Sequence, residues 1–89
     1  MKAIVTVTGK DTTGIIAKVC TLLADRNVNI LDISQTVMQE FFTMTMLIDL
    51  EKSNCSVTEV AEDLEKLGKT IGLVIRTQRE DIFDMMHRI

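Results

Sequence analysis

The chain has 89 residues, 46% of them apolar and 26% charged, with a net charge of -3. That describes one small domain of globular composition, and the acidic balance argues against a nucleic-acid footprint. With no Trp, no Tyr and only three Phe, it can build neither a base-stacking platform nor a large aromatic ligand cage.

At this length folding buries only about 60% of the unfolded surface, so a partner copy would add stability. The N-terminal apolar run is too short for the core of a signal peptide, and no stretch is long enough to cross a bilayer, so a cytoplasmic, non-membrane protein is expected. Cys20 and Cys55 are far apart and form no CxxC pair, which points to reduced thiols rather than a redox or zinc motif.

Lys2 to Thr8 alternates, with Ala3, Val5 and Val7 on one side and Ile4, Thr6 and Thr8 on the other, as a half-buried strand does. Ile15 to Arg26 recurs at three and four through Ile15, Ile16, Val19, Leu22 and Leu23, and Asn27 follows as a left-handed helix end. From Asn29 to Glu40 the period is two again, with Leu31, Ile33 and Val37 opposite Asp32, Ser34 and Thr36. After a tight turn near Gln39 and Glu40, Phe41 to Leu50 carries Phe42, Met44, Met46, Ile48 and Leu50 on one face.

"SVTE" opens the second helix: Ser56 caps, Glu59 closes a capping box, and Cys55 staples against Val60. Its buried stripe is Val57, Val60, Ala61, Leu64 and Leu67, and Gly68 is expected to end it. A last strand, Leu73 to Thr77, precedes a short helix capped by Thr77 and Glu80.

Right-handed crossovers turn this βαββαβ order into an α+β, ferredoxin-like sandwich. It has a four-stranded antiparallel sheet with two helices on one face, plus a short C-terminal helix. The expected layout is a single domain over 1–89, with a core over 1–78 and the terminal helix over 79–89. The other sheet face, with Ile4, Thr6, Phe41, Thr43, Thr45, Leu47 and Val74, is apolar enough to call for a cover. That cover is the terminal helix, its equivalent in a second copy, or another sheet.

The stretch "VTGKDTTGII" starts like a phosphate loop, but Ile15 and Ile16 stand where Lys and Ser/Thr would have to be. The first helix also lacks a capping box, because Ile16 occupies the position that would need Glu or Gln. Its leading N–H groups therefore stay available as an anion or carboxylate site. Gly14 lets a ligand approach the backbone, and Asp11 is placed to hold an ammonium. Together they describe a cradle for a free amino acid. The plain alternative is that Thr12 or Thr13 caps the helix and water takes the remaining donors.

The segment "TGKDTTGIIAKVCTLLADRNVNILDIS" resembles the signature of ACT domains: a strand running into Asp-x-x-Gly, an apolar helix, and a Val-Asn-Ile opening of the second strand. The resemblance spans almost the whole chain and is closest to small stand-alone ACT proteins. It implies an amino-acid-responsive regulatory module that dimerises and binds its ligand at a subunit interface, where the first loop meets the second strand of a neighbour. On that basis Asp11 and Asn29 take ligand-holding positions and Gly14 is the turn glycine. Gly9 stands where some binding members carry a polar side chain.

The candidate ligand-binding residues are Asp11, Thr12, Gly14, Ile15 and Asn29, with Asp11 toward the amine and the N–H groups of Gly14 and Ile15 toward the carboxylate. A glycine-sized ligand with five heavy atoms gains at most about 7.5 kcal/mol, which suits metabolite sensing rather than a permanently held cofactor. No cofactor, metal or catalytic residue is expected. An acylphosphatase-type enzyme would need an Arg in the first loop, where only Lys10 is present. The competing reading is a ligand-free interaction module that dimerises and docks on a larger enzyme or regulator.

Overall fold

The computed structural model describes residues 1–10 and 13–81. Its elements run β1 (Lys2–Lys10), α1 (Ile15–Asp25), β2 (Asn29–Met38), β3 (Phe41–Asp49), α2 (Val57–Ile71) and β4 (Leu73–Arg79). The strands form a single sheet in the order β2-β3-β1-β4, and every pairing is antiparallel. This is the ferredoxin-like arrangement of the two interlocked βαβ units.

The alternation in β1 and β3 sets the core. Ala3, Val5 and Val7 are fully buried and lie opposite Ile48, Met46 and Met44. Val19 and Leu23 of α1 and Val60 and Leu64 of α2 close over them. On the opposite sheet face, Thr6 and Thr8 pair with Thr45 and Thr43, and Phe41 and Val74 are exposed. Arg26 joins the two helices through Nε and Nη2, both 3.0 Å from the Asp63 Oδ2 atom.

Asn27, with φ 58, reverses the chain after α1, as its amide side chain favours. Gln39, with φ 56, lies in the turn between β2 and β3. The capping box of α2 is formed: the Glu59 N–H donates to Ser56 Oγ and the Ser56 N–H to Glu59 Oε1, each at 3.2 Å.

Three expectations need correction. Gly68 does not end α2; the helix continues to Ile71 and the left-handed Gly72, φ 75, closes it. Gly68 is instead a buried helical residue, because a Cβ there would stand 2.7 Å from the Leu73 carbonyl oxygen. Thr77 is not a helix cap, since it lies in β4 opposite Val5, and its Oγ1 is buried with no partner among the described residues. Most of the expected C-terminal helix, residues 82–89, lies outside the described residues. Finally, β2 does not alternate throughout. A bulge between Ile30 and Asp32 leaves Leu31 out of the ladder, and the regular alternation begins after it.

Candidate ligand site at the start of the first helix

Gly14 occupies the cap position of α1 with φ 85 and ψ 8. Thr13, one of the sequence alternatives for this role, precedes the cap and is exposed. The left-handed conformation accounts for the glycine: a Cβ added to Gly14 meets nothing within 4 Å, so conformation rather than room makes the demand. The first helical bond runs from the Lys18 N–H to the Gly14 carbonyl at 3.0 Å. No side chain of Gly14 can cap the donors above that bond, and the first turn has no acidic residue. These N–H groups carry the positive end of the helix dipole.

Ile15, the first helical residue, has its side chain in the core, so it can offer the site only backbone. Asp11 and Thr12 lie outside the described residues. Lys10, the last residue of β1, pairs with Phe41, which pairs with Met38. The loop after β1 thus leaves the sheet at the same end as the hairpin turn of Gln39 and Glu40. Met38 and Phe41 are more than half exposed at this end. Sequence reasoning did not count either as part of the site, although their departure from the buried alternation is visible in the period.

Asn29 stands at the opposite end. It pairs with Asp49, and Asp49 pairs with Lys2 at the start of β1. The eight residue steps from Lys2 to Lys10 span about 26 Å, so within one chain Asn29 and Gly14 do not meet. Asn29 instead lines a cleft of about 570 Å³ with Ala24, Asn27, Val28, Asp49, Glu51 and Lys52. Several of its polar groups are engaged in holding loops. Asn27 Nδ2 donates to the Lys52 carbonyl at 2.8 Å, and the Glu51 N–H donates to Asp49 Oδ1 at 3.0 Å.

Gly9 faces the helix side of the sheet between Phe42 and Leu73. A Cβ at that position would run into Leu73 Cδ2. The Leu73 side chain fills the space that a side chain at position 9 would occupy. Among the described residues, no group of three or more His, Cys, Asp and Glu side chains is placed to hold a metal ion. No helix among them is long and apolar enough to cross a membrane.

The ACT domain family model matches residues 2–78. A UPF0237 protein of Clostridium acetobutylicum is 54% identical over 89 residues, covering all of both chains. An ACT domain protein from Streptococcus pneumoniae has the same fold with a TM-score of 0.82 and 40% identity, covering 94% of each chain. The regulatory subunit of aspartate kinase from Thermus thermophilus, in its ligand-free form, superposes with a TM-score of 0.70 at 26% identity over 89% of this chain. The matched part is 51% of that subunit. The buried alternation, the glycine-capped first helix and these matches lead to one conclusion: the chain belongs to the ACT domain family, a family of regulatory rather than catalytic modules.

Proposed function

We propose that this chain is a non-enzymatic, cytoplasmic regulatory module that senses a free amino acid at a site completed by a second copy of itself. The observation that carries this is the start of α1, where a glycine cap leaves the leading N–H groups without a side-chain acceptor in the first turn. A carboxylate takes those donors, from Gly14 and Ile15. Asp11 meets the amine, Thr12 lines the loop, and Asn29 orients the ligand.

The separation of Gly14 and Asn29 supports the second copy. One chain holds them at opposite ends of its sheet, whereas two copies related by a two-fold axis bring the Asn29 of one to the Gly14 end of the other. The family supports the amino acid, as does the likeness to a regulatory subunit of aspartate kinase. That subunit is about twice the length this module matches, which leaves room in one chain for what two copies would supply here.

The test is thermal unfolding against a panel of amino acids at millimolar concentration. A ligand at ten times its Kd stabilises the native state by about 1.4 kcal/mol, which raises Tm by about 6–10 °C in a domain of this size. Asp11→Ala and Asn29→Ala should each remove the shift while leaving the unliganded Tm close to the parent value. The exposure of Val37, Met38 and Phe41 favours a second reading, a ligand-free docking module. The absence of a shift with any amino acid would decide for it.

A further inference from the structure

The sheet face turned away from the helices is ordered in its composition. Two rows of hydroxyls cross its centre: Ser34, Thr45 and Thr6, and beside them Thr36, Thr43 and Thr8. The charges stand around this centre. Asp32 lies at the β2 rim and Arg76 at the β4 rim, both exposed. Lys2 and Lys10 mark the two ends of β1, opposite Asp49 and Phe41 of β3. Among the described residues Arg76 is in no ion pair, and the Asp32 carboxylate accepts only the Ile33 N–H, at 2.9 Å.

We infer that this face packs against the same face of a second copy, about a two-fold axis that runs parallel to the strands between β1 and β3. The contact is separate from the shared site proposed above. Such an axis keeps like ends of the two sheets together, so it brings no Asn29 to a Gly14.

Charge selects both the occupant and the axis. With the axis along the strands, β1 of each copy lies over β3 of the other, and β2 over β4. Lys2 then stands over Asp49, Lys10 over the ring of Phe41, and Asp32 one row from Arg76, each contact being made twice. An axis across the strands at the level of Thr6 would instead set Lys2 against Lys10 and Arg76 against its own equivalent. The pattern is thus complementary to itself in one orientation. Size agrees with a second copy. Four strands about 4.8 Å apart and the length of β1, about 26 Å, make a face of about 500 Å². Two copies remove about 1,000 Å² from water, the lower limit of a specific interface. Short Ser and Thr side chains at the centre let the sheets approach to their usual spacing of about 10 Å.

The test exchanges the charges. Arg76→Asp and Asp32→Arg should each lower the association constant about tenfold in sedimentation equilibrium, and the double variant should restore it. Circular dichroism checks that each variant is folded. Thr6→Cys, in a Cys20→Ala and Cys55→Ala background, sets two Cα atoms about 11 Å apart across the axis, so a bismaleimide of that span should join two copies 6 to 6 by peptide mass. A parent that stays monomeric at hundreds of micromolar overturns the inference. So do single variants that associate like the parent, a double variant no better than the singles, or a thiol at position 6 that reacts with a monomaleimide but does not link. A thiol that is both shielded and unlinked also overturns it, and assigns the face to residues 82–89 of the same chain.

Discussion

A methyl group added to Gly68 would stand 2.7 Å from the Leu73 carbonyl oxygen and 3.1 Å from Ile75 Cγ1. This one hydrogen in place of a side chain lets α2 lie close against β4. At an exposed helical position Gly→Ala stabilises by about 1 kcal/mol. Here the sign should reverse, with Gly68→Ala destabilising by about 1–3 kcal/mol through overpacking against backbone that cannot turn aside. The urea midpoint reads the sign directly. The sequence argues for a glycine near this point but not for its role, because a helix-ending glycine and a close-packing one leave the same letter. Gly72, four residues on, takes the terminating role with its left-handed φ.

The two helices begin in opposite ways. α2 satisfies its leading donors from Ser56 and Glu59, whereas α1 starts at a bare glycine with no acidic residue in its first turn. Ser56→Ala should cost about 1 kcal/mol in chemical denaturation, the usual worth of a cap. This contrast was legible in the residues, since "SVTE" holds a complete box and "GIIA" holds none. The periods of β1 and β3 were equally legible, because Val5, Val7, Met44 and Met46 are buried on one face without interruption. The start of β2 was not. A bulge adds a residue without changing composition, so Leu31 looks like a member of the alternating face until the pairing is known. The opposite placement of Gly14 and Asn29, by contrast, was implied by the expected crossover, since α1 starts beyond the end of β1 and β2 starts where α1 has returned to the other end of the sheet. The pairing agrees, with β1 and β2 both running antiparallel to β3.

For the whole molecule, small size and association are one question. A chain of 89 residues has a limited core, and the apolar side chains at Ile33, Val37 and Met38 stay in water while it is alone. Association that buries them stabilises the native state by mass action. Tenfold dilution through the micromolar range should therefore lower Tm by a few degrees, whereas a stable monomer would melt at the same temperature throughout. Differential scanning fluorimetry on a dilution series makes the measurement. It also sets the protein concentration at which ligand shifts should be compared, since ligand and partner raise Tm by the same linkage.

The arginines of β4 carry a further consequence. Arg76 and Arg79 are both exposed on this edge strand, and Arg79 is fastened to Asp81 by bonds of 3.2 and 2.6 Å. A foreign strand approaching that border would have to strip water from charged groups before a single ladder bond could form, so the rim resists unwanted extension of the sheet.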